Sequence, residues 1–150
     1  MASCDAVADL GLQSEPEVAP VKITDPFPAA VSVRLFVESG EVDEDGRGIM
    51  TKPEGLLLTD KQRIEVESTF QFEPMPEAFA ACFVPHHFFE YYDAAGERIG
   101  EVAVCFCCDG VSADGSDKLI AGADQIIGAD YEKLKELIEG MGERTDVMCY

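Results

Sequence analysis

The stretch from Phe79 to Cys108 constrains the fold more than any other. It spells two β-prone runs, "FAACFVPHHFFEYY" and "ERIGEVAVCFCC", around the turn "DAAG". Asp93 at the first turn position and Gly96 at the last suit a type I turn with the glycine as a left-handed bulge. Closing the loop on Asp93 and Glu97 sets Cys82 opposite Cys108, with His86 on the same strand face as Cys82. A loop longer by one residue sets His86 opposite Cys105 instead. Either register gathers cysteines and a histidine at one end of the hairpin, although Pro85 can insert a bulge that shifts the faces locally.

The flanking sequence supplies the partners of that hairpin. In "AVSVRLFVES", Val31, Val33, Leu35 and Val37 alternate with Ser32, Arg34, Phe36 and Glu38, the period of a half-buried strand. "GEVDEDGRG" follows as a polar turn. Thr59 or Asp60 caps a helix through "DKQRIEVESTF", with Ile64 and Val66 inward and Phe70 near its end, and Pro74 and Pro76 stop it. After the polar loop "DGVSADGSDK", "ADYEKLKELIEGMG" places Tyr131, Leu134, Leu137, Ile138 and Met141 at helical spacing behind a capping Asp130. Residues 1–28, with a short helical turn over Asp5 to Leu10 and then the proline-rich "SEPEVAPVKITDPFP", read as an extended N-terminal arm. The expectation is an α+β domain over residues 29–150, a small antiparallel sheet with a central β-hairpin packed by two helices.

Charge narrows the partners. Eleven basic against thirty acidic residues leave a net charge of −19, which repels phosphate backbones and argues against nucleic acid. A basic or apolar protein surface is the partner such a chain suits. No run of residues approaches the roughly 20 apolar positions that a membrane-spanning helix needs.

Four of the six cysteines and both histidines fall between Cys82 and Cys108. Cys105-Phe106-Cys107-Cys108-Asp109-Gly110 contains C-x-x-C at the end of a strand, the spacing of a zinc knuckle, in which turn amides point at two thiolates bound to one ion. Half a tetrahedral site then comes from the turn, and the hairpin offers Cys82 with His86 or His87 for the other half. Zinc accepts both thiolate and imidazole, so a non-catalytic zinc site on Cys82, His86, His87, Cys105 and Cys108 is the reading preferred here, with Cys107 left over.

Several readings compete with it. A disulfide from Cys82 to Cys108 or Cys105 needs only the same proximity and an oxidising compartment. A redox-active C-x-x-C usually opens a helix, a device this strand end lacks. Cys/His nucleophilic catalysis has no identifiable orienting residue or oxyanion loop. In the simplest alternative the cysteines are small core residues and the histidines hydrogen-bonded ones. Glu90 and Glu101 project to opposite faces in the favoured register and are set aside as an acid/base pair. "EVDEDGRGIMTK" begins like a calcium loop but carries Lys52 where a bidentate glutamate is required. The "ASC" before Asp5 resembles the end of a lipoprotein signal, with Cys4 as the lipidated residue. A cytoplasmic location goes with a metal site, and a periplasmic or lipid-anchored one with Cys4 following a removed signal.

The block from Cys82 to Cys108 also resembles a segment of small bacterial proteins of unassigned function, with Cys-x2-Pro-[Arg/His]-His followed by Cys-Phe-x-Cys. That resemblance implies Cys82, Cys105 and Cys108 as the retained set and Cys107 as accessory. It implies no activity.

Overall fold

Val33, Leu35 and Val37 are each 1% exposed, and their alternation builds the long strand around which the protein is organised. The structure is a computed structural model that describes residues 18–78 and 83–149. In chain order the strands are β1 (Val21–Lys22), β2 (Ser32–Val42), β3 (Gly48–Met50) and β4 (Leu56–Leu57), followed by helix α1 (Asp60–Glu67) and β5 (Phe70–Pro74). Then come β6 (His87–Tyr92), β7 (Arg98–Cys105), β8 (Gly110–Asp114), a short 3₁₀ turn (Asp117–Leu119), β9 (Gln125–Ala129) and α2 (Tyr131–Gly140).

Two antiparallel sheets result. One runs β3-β2-β6-β7-β8, with β4 also paired to β2, and the other runs β1-β5-β9. The class is α+β, as expected, with the β6–β7 hairpin at the centre of the larger sheet. Cross-strand pairing sets Val33 against Tyr91, Leu35 against Phe89 and Val37 against His87, then Phe89 against Val102 and His87 against Val104. These residues share one face because directly paired positions point the same way. Val66 of α1, Leu134 and Ile138 of α2, and Phe70 of β5 join them in the core. Phe70 meets Phe89 edge-on, with ring centroids 6.2 Å apart.

Both helices begin where the sequence places them. Thr59 accepts from Gln62 N while Gln62 returns a bond to Thr59 N, a reciprocal cap, and the Asp130 side chain accepts from Lys133 N. Ile64, expected inward, is 69% exposed. The eight-residue helix ends at Glu67, so it has one inward turn, and Val66 fills it.

Three further expectations need correction. "GVSAD" is strand β8 rather than polar loop, and Phe70 opens β5 rather than closing a helix. The arm expected over residues 1–28 is core over part of its described length. Phe27 is 1% exposed and stacks on Tyr91 at 3.9 Å, and Ile23 is buried beside it. The hairpin register combines both alternatives. Asp93 N donates to Glu97 O and Gly96 has φ +78°, the expected bulged turn, but a second bulge between Tyr92 and Tyr91 shifts the pairing so that Tyr91 faces Gly100 and Glu90 faces Glu101. The longer-loop register therefore governs the far end of the hairpin.

Candidate functional site: the cysteine turn

β7 leaves the core at Cys105 and returns as β8 at Gly110, its pairing partner, so residues 106–109 form the turn that joins them. Asp109 takes the left-handed conformation there, φ +50°, a conformation Asp tolerates better than most side chains. Gly110 admits the ring of Phe83, since a Cβ at that position would lie 2.7 Å from it. The segment that follows Cys82 is thereby seated on the turn.

The Cys105 thiol is the chemical centre of this arrangement. It is 1% exposed, and burial by itself pushes its pKa up. The opposing contributions are larger together: Cys108 donates to it, and backbone N–H groups of Val84, Cys108 and Cys107 point at the sulfur, so the net direction is down. The two sulfurs lie 2.8 Å apart. Sharing one zinc ion at about 2.3 Å per bond with tetrahedral angles requires sulfurs roughly 3.8 Å apart, so binding would part them by about 1 Å.

Cys107 is not a spare residue. It forms a disulfide with Cys149, 42 residues away in sequence, which corrects the accessory role that the motif resemblance implied. The bridge fixes the end of the chain to the outer side of the turn. Nothing local in the sequence marks this pairing, because the two cysteines are 42 residues apart and meet only once the hairpin and the final helix have packed.

The histidines take other partners. His87 Nε2 lies 2.6 Å from the Arg144 carbonyl, so Nε2–H donates there. Burial, with His86 beside it, lowers its pKa against the opposing pull of the Arg144 carbonyl, Glu143 and Glu38. Because His87 pairs with Val104, it lies on the face of the hairpin opposite that of Cys105. His86 Nδ1 lies 3.2 Å from Glu38 Oε2, with both side chains largely buried. Among the described residues no group of three or more Cys, His, Asp or Glu side chains converges as metal donors. Cys82 and Cys4, with the helical turn expected near the N-terminus, lie outside the described residues.

Two features set aside from sequence also have definite structures. Glu90 and Glu101 do share a face, contrary to the shorter-loop register, and Arg98 bridges them at 3.6 and 3.3 Å while also approaching Asp114. Asp43, the third position of the apparent calcium loop, accepts from the N–H groups of Asp45 and Arg47, and Asp93 does the same for Ala95 and Glu97. The two Asp-x-x-Gly turns are one device used twice, with Gly46 and Gly96 both at φ +78°.

Comparison of the chain with protein-family models, with curated proteins and with solved structures finds no match. The bacterial resemblance of the hairpin therefore rests on its motif alone. Among the described residues no helix is long and apolar enough to cross a membrane.

Proposed function

We propose that the Cys105-x-x-Cys108 turn is a non-catalytic metal-thiolate site, with zinc the ion best suited to its donors and Cys82 as the third ligand. The observation that carries this reading is the meeting of the Cys105 and Cys108 sulfurs, 2.8 Å apart, where β7 turns into β8, with Cys105 buried. Hydrogen bonds from Cys108 and from the nearby amides of Val84, Cys108 and Cys107 favour the thiolate form of Cys105 against its burial, and the thiolate is the form a soft divalent ion binds. An ion there ties the segment after Cys82 to the β7–β8 turn, so its contribution is to folding rather than to turnover.

Cys107–Cys149 favours a second statement about setting. Disulfides persist in oxidising compartments, and a bridge beside an acidic surface of net charge −19 suits an extracytoplasmic protein that docks a basic partner.

Elemental analysis of protein purified without chelator tests the first reading. One equivalent of zinc is expected, lost in Cys105→Ser and kept in the double variant Cys107→Ala/Cys149→Ala. Thiol counting in denaturant and chelator, without reductant, checks the bridge. Six cysteines less the two of the disulfide leave four titratable thiols. A count of two, with no zinc, iron or copper in the protein, places a further bridge at the turn and overturns the metal reading.

A further inference from the structure

The last residues of the chain are bound to the fold in an unusual way. After α2 the segment 141–149 runs over the end of the hairpin with Glu143, Thr145 and Val147 buried and Arg144, Asp146 and Met148 exposed. That alternation is strand-like. Yet no backbone–backbone hydrogen bond joins residues 144–149 to any described part of the protein. Side chains hold the segment instead. His87 donates to the Arg144 carbonyl at 2.6 Å, and Glu143 accepts from Thr51 at 2.9 Å and from Lys52. Val147 fills a core position at 1% exposure.

The one covalent hold is Cys107–Cys149. Both cysteines are exposed, so the bridge is open to a reductant from solvent although its near neighbour Cys105 is buried. Next to it Met148 sits at φ +52°, a left-handed conformation that a non-glycine residue keeps only where its surroundings impose it. Cys107 Sγ lies 3.6 Å from the Val147 carbonyl, but a disulfide sulfur has no hydrogen to donate, so that contact adds no hold of its own. From Arg144 on, the segment is therefore packed on its inner face, without backbone bonds to the rest of the described fold, and pinned at Cys149 by an accessible bond.

We propose that residues 141–149 form a redox-latched strap: reduction of Cys107–Cys149 by a dithiol releases the strap from the hairpin and uncovers His87, while the two sheets stay folded. The chemistry balances with the dithiol as reductant. Its first thiolate attacks one sulfur of the bridge, giving a mixed disulfide and a cysteine thiolate that takes up a proton. Its second thiol then displaces the other cysteine, leaving two protein thiols and the oxidised, cyclic reductant. Two electrons pass to the protein, and the latch recloses when an oxidant removes them.

Arg144 itself supplies the probe, since its carbonyl is held by His87 and trypsin cuts the bond that follows it. Native-state proteolysis compares oxidised protein, protein reduced with dithiothreitol, and Cys107→Ala/Cys149→Ala, with cleavage after the exposed Arg47 of the β2–β3 turn as reference. Cleavage after Arg144 is expected to accelerate at least about tenfold on reduction and equally in the double variant, as local opening replaces global unfolding as the route to the cut. Cleavage after Arg47 is expected to stay unchanged. Because the double variant leaves Cys105 and Cys108 in place, its response is separable from any reduction at the turn. Equal rates at Arg144 in all three samples overturn the latch. Parallel acceleration at Arg144 and Arg47 also overturns it, because the strap would then open only together with the sheets.

Discussion

Replacing Tyr91 by phenylalanine is expected to stabilise the protein. Tyr91 sits near the end of β6 at 0% exposure, stacked on Phe27 and facing Val33 across the sheet. Its hydroxyl is the one buried side-chain polar atom without a hydrogen-bond partner among the described residues. The Arg63 guanidinium lies over the ring, 5.7 Å from its centroid, but its N–H groups go to the Phe27 and Ala30 carbonyls and to Glu67. A buried hydroxyl left unpaired costs about 1–3 kcal/mol. Removing its oxygen leaves a void worth a few tenths of that at ~24 cal/mol per Å³, and the ring contacts remain. The net gain is about 1–2 kcal/mol, which for a chain of this size raises the thermal midpoint by roughly 2–8 °C. Urea unfolding with an unchanged m-value is the assay. Tyr92→Phe serves as the internal control, because it removes a 2.7 Å bond to Glu90 and is expected to destabilise. If Tyr91→Phe lowers the midpoint as Tyr92→Phe does, the hydroxyl has a partner in solution and the reasoning fails.

Loss of the Cys107–Cys149 bridge, which spans a separation of 42 residues, removes up to about 4 kcal/mol on the loop-entropy relation; a change below ~0.5 kcal/mol in urea unfolding of the double alanine variant would show that the bridge does not form. His87 makes stability depend on pH. Its folded pKa lies below the ordinary value, so the unfolded chain binds the extra proton, and stability falls as pH drops below about 6.5, by up to ~1.4 kcal/mol per unit until the folded pKa is reached. His87→Gln keeps a donor for the Arg144 carbonyl and is expected to flatten that slope. An identical slope in both proteins assigns it to the carboxylates. Asp93→Ala removes the acceptor of two turn N–H groups and is expected to cost about 1 kcal/mol, read by thermal melting. A neutral result would mean that the glycine alone sets the turn.

Local patterns were legible in the sequence wherever they were carried by residues adjacent in the chain. The alternation of Val33, Leu35 and Val37 and the "DAAG" turn each specify their own element, as does the Asp130 cap. What was missed depends on partners distant in sequence. β5, β8 and β9 are short strands of five residues each, and with so few positions neither period stands out until pairing fixes it. Glu73 and Gln71 of β5, for example, point polar groups at one another by a 2.9 Å bond, which hides the strand's apolar face. The bulge between Tyr91 and Tyr92 is a second such case. One inserted residue exchanges the faces of everything beyond it, and that exchange brings Glu90 opposite Glu101.

The cysteine turn shows why motif spacing locates a site more readily than it assigns each residue. From Cys105 to Cys108 the chain reverses within four positions, and a reversing chain sends neighbouring side chains to different sides. Cys105 and Cys108 meet on the side covered by Phe83 and Val84, whereas Cys107 turns out to solvent and to Cys149. The same separation allows two oxidation states to coexist within one turn. An exposed bridge exchanges with solvent thiols, while a thiol at 1% exposure meets neither oxidant nor reductant without local opening. The presence of a disulfide at Cys107 therefore does not force Cys105 to be oxidised. A metal-thiolate reading of Cys105 and a redox reading of Cys107 stand on opposite faces of one turn, and each can fail without the other.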